Sequence, residues 1–478
     1  MLGYIGSPVE FRECPVVVEE EIELNPGAML ITERGYVLRV IGPRYDSPDH
    51  DPEILAEKVR MRMRIPRAEP RRTGVRLTWV CEILGRARDG RVELGGAPAP
   101  GEEVRWADPA DLISGEATYL IGRLWPEGGE LRLSGISLSQ PSGTFGDPGT
   151  GKTYKAQTNA ELFLRNRVPV IVLEMSPDEE YSEWARRLRK AEPEIPVHLI
   201  EIDRRNPIPI HRLRPEELLE AAGVLTRDQE DLLVAALADL SESPPNSGSN
   251  WTREDLYRRI TDIAKRQNRE TVGANLNAKL RYRMARILTF LGDKGEVFDP
   301  SGGGLYVFRL ARHPYRELTA AVICTLIEEA ALSRRLPGGV VLIDEAHLIV
   351  PADRDIPSRH RVRYFVRLAR HLGIVPWLIS QSPRSIDRQV FDLLRFLYIF
   401  ALSGENLAAV RDRLSGLHPR LIEQIPLLPT GVCVLVGPRD LVPFPLFFRA
   451  EGRRTEHPSP TRDIFRVFEG AKGHGKRS

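Results

Sequence analysis

The chain is 478 residues long, more than one ordinary domain, so two or three domains are expected. Hydrophobic residues make up 42% and charged residues 28%, a balance that excludes a disordered or membrane-embedded chain. The formal net charge of +2 excludes a uniformly basic nucleic-acid protein, so any surface for DNA must come from local clustering.

The N-terminus has neither a basic start nor an apolar stretch, and no run approaches the roughly 20 apolar residues that span a bilayer. A cytoplasmic protein with no membrane partner is therefore expected. Cys14, Cys81, Cys324 and Cys433 are scattered without a CxxC pair, which indicates neither a disulfide framework nor a zinc site. Nine lysines stand against 59 arginines, a bias that GC-rich codon usage explains before heat adaptation does.

Along the first ~140 residues, short apolar or alternating runs occur at 15–18, 28–32, 36–41, 75–84, 117–124 and 131–136. Turn residues such as Asn25-Pro-Gly, Gly95-Gly and Glu127-Gly-Gly separate several of them. Repeated short strands of this kind predict a small β-barrel, which hides its own sheet edges, over 1–138. Between them, Asp51-Pro-Glu-Ile-Leu reads as a helix start with Asp as N-cap and Pro at the first helical position. Arg60, Arg62, Arg64, Arg67, Arg71 and Arg72 follow it, as a basic face or a solvated helix end.

From Ser139 the pattern changes to strands alternating with helices, the signature of an α/β domain expected over 139–450. Compact runs with a β-branched bias, at 168–174, 304–310, 340–343, 374–380 and 397–402, read as buried parallel strands. Residues 214–292 instead carry long helical periodicity with many charges, interrupted by Ser241-Glu-Ser-Pro-Pro-Asn-Ser-Gly-Ser-Asn; this predicts a helical insertion with a flexible tip. Residues 451–478 are expected to form a C-terminal bracing segment ending in a basic tail.

Gly146-Asp147-Pro148-Gly149-Thr150-Gly151-Lys152-Thr153 matches G-x-x-x-x-G-K-[ST] at every fixed position. Glycines let consecutive backbone N–H groups turn inward around phosphate oxygens, and the following helix, read from Tyr154 onward, adds its positive end. Lys152 is expected to reach the β- and γ-phosphates of ATP and Thr153 to hold Mg²⁺. The strand before the loop, Ser142-Gly-Thr-Phe-Gly, is unusually poor in apolar residues. Val340-Val-Leu-Ile-Asp344-Glu345 supplies the second half: Asp344, at the end of a buried strand, joins the Mg²⁺ shell, and Glu345 orients the attacking water. His347 follows, either coupling nucleotide state to a DNA loop or opening a helix with no special role.

Asp344 lies 192 positions after Lys152, too far for the AAA+ ATPases that the loop text itself resembles. The long insertion instead looks like the additional-strand ATPases that include FtsK and HerA. Val366-Arg367-Leu-Ala-Arg370-His-Leu-Gly, then an apolar strand ending in Ser-Gln381-Ser-Pro-Arg-Ser-Ile-Asp, is similar to the HerA pattern of Arg-rich helix, glycine, strand and Ser-Gln-Arg-Pro. The resemblance covers most of the chain in the same order. It implies an N-terminal barrel, a RecA-like P-loop core and a homohexamer that moves double-stranded DNA through a central pore. Gln381 would sense the γ-phosphate, and Arg370, with Arg367 one turn earlier, would be offered to the neighbouring subunit's nucleotide. HerA-like rings act with NurA-type nucleases in end processing, and bacterial relatives act with other effectors in anti-phage systems.

Three positions depart from that family's pattern. Ser382 stands where an arginine follows the sensor glutamine, with Arg384 two places on. Glu174-Met-Ser176 replaces Asp-x-His, and Gln140-Pro141 replaces Arg-His before the P-loop strand. Each lies near the nucleotide in the family. They keep open a ring scaffold that binds ATP and assembles an effector with little hydrolysis. A conjugation- or packaging-type motor is the other alternative, although its membrane helices and transfer domains are not visible.

Overall fold

The computed structural model describes residues 2–6, 9, 12–18, 24–46, 76–88, 91–93, 95–113, 118–126, 128–242, 250–293 and 298–451. The helix expected at Asp51, the arginine face after it, most of the Ser/Pro-rich tip and nearly all of the bracing segment lie outside these residues.

The first strands are β1 (Gly3–Ile5), β2 (Glu13–Val18), β3 (Met29–Thr32), β4 (Tyr36–Asp46), β5 (Arg76–Arg88), β6 (Arg91–Glu93) and β7 (Glu103–Trp106). They pair in the order β2-β1-β7-β3-β4-β5, and β5 closes back onto β2. Every one of these pairings is antiparallel. The result is a closed six-stranded barrel, with β6 as a short appendage on β5. Closure leaves no free edge around the ring, and two irregularities in the β4–β5 register supply the sharp curvature that so few strands need.

Ile5, Cys14, Val16, Leu30, Leu38, Val40, Trp79, Cys81 and Val104 fill the interior of this barrel. On β3 the alternate residues Met29 and Ile31 pack into a different cluster, shared with the second domain. That is why all four residues of Met-Leu-Ile-Thr are buried rather than every second one. Arg39 fastens the same junction. It is fully buried, pairs with Glu82 at 2.8 Å, and donates to the carbonyls of Pro445 (2.9 Å) and Gly416 (2.6 Å) in the second domain.

The second domain is built on β8 (Tyr119–Leu124), β9 (Glu130–Leu133), β10 (Ser142–Phe145), β11 (Val170–Glu174), β12 (Val197–Ile200), β15 (Leu305–Arg309), β16 (Gly339–Ile343), β17 (Ile374–Ser380), β18 (Phe396–Ile399), β19 (Val432–Val436) and β20 (Leu446–Ala450). They form one sheet in the order β12-β15-β11-β16-β17-β10-β18-β19-β20-β8-β9. Pairing is parallel from β12 to β18 and antiparallel from β18 to β9. Both faces are covered: on β11, Ile171 and Leu173 enter one core and Val170 and Val172 the other.

Two strands sit elsewhere than the sequence suggested. The runs near 117–124 and 131–136 become β8 and β9, which extend the second sheet rather than the barrel. Alternation shows that a segment is a strand but not which sheet receives it. Here Gly122 decides, because an added Cβ would lie 2.1 Å from the Arg449 carbonyl; only glycine lets β8 approach β20 so closely.

Helix α1 (Lys152–Arg165) follows β10, and α2 (Glu180–Ala191) follows β11. Between two short strands, β13 (Ile208–Pro209) and β14 (Leu291–Gly292), lie α3 (Pro215–Ala222), α4 (Arg227–Glu242), α5 (Arg253–Arg266) and α6 (Glu270–Arg286). Then come α7 (Arg316–Leu332) and α8 (Pro357–Ala369). Glu220 on α3 accepts the backbone N–H and hydroxyl of Ser358 at 3.1 and 3.0 Å, tying the first of the four helices to the start of α8. No helix among the described residues is long and apolar enough to cross a membrane.

Candidate active site

The phosphate loop springs from β10, whose polar residues are accommodated one by one. Thr144 Oγ1 accepts the Trp377 indole N–H at 2.9 Å, and the Ser142 hydroxyl donates to the Gln140 carbonyl. A Cβ on Gly143 would stand 2.6 Å from the Phe145 ring and 2.8 Å from Leu394. An apolar-poor strand is therefore stable here, because its neighbours supply both the partner and the bulk.

The loop from Gly146 to Gly151 turns through left-handed backbone at Gly149 (φ 77°) and Gly151 (φ 112°). Thr150 Oγ1 and Lys152 Nζ both donate to the Asp147 carbonyl, at 2.8 and 2.9 Å, so the loop is folded back on itself. Pro148 and Gly149 are exposed at its tip. Three residues from two later segments support it from behind. The Ala401 carbonyl accepts Asp147 N–H at 2.8 Å, Ser403 donates to the Asp147 carboxylate at 2.8 Å, and Gly431 N–H donates to Thr150 O at 2.9 Å. Sequence reasoning missed these three residues, which lie 250 or more positions from the loop and carry no local signal.

Helix α1 begins at Lys152 with Gly151 as its cap and no side-chain hydrogen bond on its first N–H groups. Uncapped donors at the end of a helix, with a lysine ammonium beside them, fit phosphate oxygens. Burial lowers the Lys152 pKa, while Glu345, Asp344, Asp147 and Glu180, in that order, oppose the shift. Thr153 and Tyr154 follow, both half-buried.

Asp344 directly follows β16 and is 5% exposed. Its carboxylate accepts Ser176 N–H at 3.1 Å. Burial, and then the neighbouring Glu345 charge, push its pKa up to about 8. A carboxyl so enclosed favours a bound cation, which would return it to the ionised form. Glu345 has left-handed backbone (φ 42°), unusual for a side-chain-bearing residue, and its Oε2 is enclosed without a hydrogen-bond partner. The residues present thus fit a nucleotide with Mg²⁺: a ring of N–H donors, one lysine, a hydroxyl at Thr153 and a buried carboxylate at Asp344.

Strand β17 lies between β10 and β16, so Gln381, directly after it, emerges between the cradle and the acidic pair. His347 Nδ1 is 3.0 Å from Ser380 Oγ and 3.3 Å from Glu345 Oε2. Arg370, in the turn after α8, is exposed, as is Arg367. No hydrogen bond or ion pair among the described residues ties Arg370 to its own cradle.

Two of the three departures have definite places beside the site. Glu174 is buried; its carboxylate accepts Tyr181 N–H (2.8 Å), Ser182 N–H (2.9 Å) and the Ser182 hydroxyl, anchoring the first turn of α2. Burial raises its pKa against those bonds. Ser176 supports Asp344 through its backbone. Ser382 N–H donates to Ser380 Oγ at 3.0 Å, and Arg384 pairs with Glu405 at the surface.

A glycine-rich phosphate cradle, an acidic pair directly after β16 and a strand inserted between them define a P-loop ATPase of the additional-strand type. Comparison with known proteins narrows the class. The family described as Helicase HerA, central domain, matches residues 121–314. The DNA double-strand break repair helicase HerA of Sulfurisphaera tokodaii is 21% identical over 471 residues, covering 91% of this chain and 90% of the relative. A probable helicase of Methanocaldococcus jannaschii is 28% identical over 104 residues, 22% of this chain and 20% of the relative. Among solved structures, VirB4 of Thermoanaerobacter pseudethanolicus shares the fold, with a TM-score of 0.56 at 16% identity over 72% of this chain and 98% of its own. Residues 121–314 thus match the central domain of HerA helicases, the chain is similar to one such helicase over nine-tenths of its length, and it is an ATP-hydrolysing enzyme.

Proposed function

We propose that this chain is a ring-forming DNA translocase of the HerA type, driven by Mg²⁺-ATP hydrolysis. The observation that carries the chemistry is the uncapped α1 N-terminus and Lys152, electrostatically coupled to the buried Asp344 and the half-buried Glu345. Thr153 and Asp344 would hold the metal, which when bound neutralises charge on the β- and γ-phosphates. Lys152 binds the phosphates, Glu345 orients water, and Gln381 reads the γ-phosphate. Exposed, and unpaired among the described residues, Arg370 is suited to the site of the next subunit in a homohexamer.

We divide the chain into the barrel, ending before β8, and a RecA-like core in which 214–292 is a helical insertion. The segment after residue 451 would brace the neighbour. Double-stranded DNA in the pore is the substrate track, and a NurA-like nuclease or another effector docks on the ring, in end repair or in anti-phage defence. The protein would act in the cytoplasm. The named function of the Sulfurisphaera relative, aligned over nine-tenths of both chains, supports this reading.

ATP turnover with and without duplex DNA tests it. Turnover should rise with DNA of any sequence, and DNA affinity should fall steeply with salt, because phosphate contacts dominate non-specific binding. Turnover indifferent to DNA would favour the scaffold; a salt-insensitive preference for one sequence would contradict the motor.

A further inference from the structure

We infer that His347 is a positioning residue for Glu345, and that Ser380 competes with Glu345 for it, coupling the sensing strand end to the water-orienting carboxylate. The inference rests on the roles proposed above for Glu345 and Gln381.

The three side chains come from two strand ends. Glu345 and His347 follow β16, and Ser380 is the last residue of β17, directly before Gln381. Strand pairing holds the two ends side by side, with Ile343 in register with Leu378. His347 Nδ1 stands 3.0 Å from Ser380 Oγ and 3.3 Å from Glu345 Oε2. A ring nitrogen carries either one hydrogen or one lone pair, so Nδ1 can satisfy only one of these neighbours at a time.

Ser380 Oγ already accepts Ser382 N–H at 3.0 Å, which leaves its own hydrogen to donate to His347 Nδ1. In that arrangement Glu345 Oε2 has no donor, and it is indeed enclosed without a hydrogen-bond partner. An unpaired enclosed carboxylate oxygen is costly, so the arrangement persists only while Ser380 holds the imidazole. With the hydrogen on Nδ1 instead, the same imidazole donates to Glu345 and fixes the carboxylate's orientation.

Ser380 and Ser382 flank Gln381 on both sides. Any shift of Gln381 toward a γ-phosphate therefore moves both partners of the Ser380 hydroxyl bond. The left-handed backbone at Glu345 sets its side chain against the imidazole rather than in an ordinary helical first turn. Loss of Ser380's hold and alignment of Glu345 become one event, so nucleotide sensing and water activation are linked through His347.

Steady-state hydrolysis by H347A, H347N, H347Q, S380A and E345Q tests this. Loss of the orienting donor should lower kcat of H347A at least ~10-fold while KM for ATP stays within about twofold, since the general base itself contributes on the order of 10²–10⁴. Asn places an amide near the position of Nδ1, and Gln places one near Nε2, so H347N should recover most of the loss and H347Q should not. S380A frees the imidazole for Glu345 and should raise turnover without DNA. H347A as active as wild type, or equal turnover in H347N and H347Q, overturns the inference; the second comparison stands even if H347A fails to fold. E345Q separates the two levels. Turnover surviving in E345Q overturns the catalytic reading and this inference together, whereas an inactive E345Q beside a fully active H347A overturns the inference alone.

Discussion

Replacing Asp344 with asparagine tests the buried acid directly, through stability rather than catalysis. In the folded chain its pKa rises from 3.8 to about 8, with burial the larger cause and Glu345 the next. The folded state therefore holds a proton that the unfolded chain releases above pH ~4, so raising the pH favours unfolding. The penalty grows between pH ~4 and ~8 and is complete above that, with a ceiling of about 5 kcal/mol at pH 8. The substituted amide would keep a carbonyl for Ser176 N–H and carry no charge. Without metal, D344N should match wild type near pH 4 and melt several degrees higher at pH 8.5. Melting curves from pH 4 to 9 in chelator would measure it. Mg²⁺ with nucleotide should then stabilise wild type more at pH 8 than at pH 6, since cation binding displaces the Asp344 proton, and should do little for D344N. Parallel melting curves for the two proteins in chelator would refute the reasoning.

K152A should lose both hydrolysis and most ATP affinity, whereas E345Q should keep ATP bound and stop turnover; equilibrium binding and phosphate release on both would check this. R370A should assemble and bind ATP but hydrolyse roughly 10³–10⁵ times more slowly if the arginine acts in trans. Mixing it with K152A in rings shown by native mass spectrometry to exchange subunits should restore some activity, and continued silence would count against the composite site. R39M removes the donor from the buried Pro445 carbonyl and from the Gly416 carbonyl and strips Glu82 of its partner, at a cost of about 3–5 kcal/mol. Limited proteolysis should then cut between the barrel and the ATPase domain sooner than in wild type.

Much of the site was legible in the sequence because its parts are local. The P-loop needs glycines at fixed places for backbone reasons, and an acidic pair after four apolar residues marks the end of a buried strand. The rest was not legible because it depends on what packs from far away. The expected Tyr154 helix start moves to Lys152, since the helix opens within the cradle itself. Glu174, set apart as a departure near the nucleotide, turns out to hold the first turn of α2. Ser380 gave no signal at all, because its importance comes from facing His347 across two strand ends.

Read residue by residue, the chain already specifies most of its strands and helices, the place where phosphate can be cradled, and the acids at the end of a buried strand. These follow from side-chain periodicity and local backbone freedom, which act over a few residues. Three-dimensional packing was needed to assign β8 and β9 to the ATPase sheet and to show Arg39 fastening the barrel to it. It was needed again to bring Ala401, Ser403 and Gly431 behind the phosphate loop. Such contacts connect residues up to 406 positions apart. Only the closed packing of both domains brings their donors and acceptors within hydrogen-bond reach.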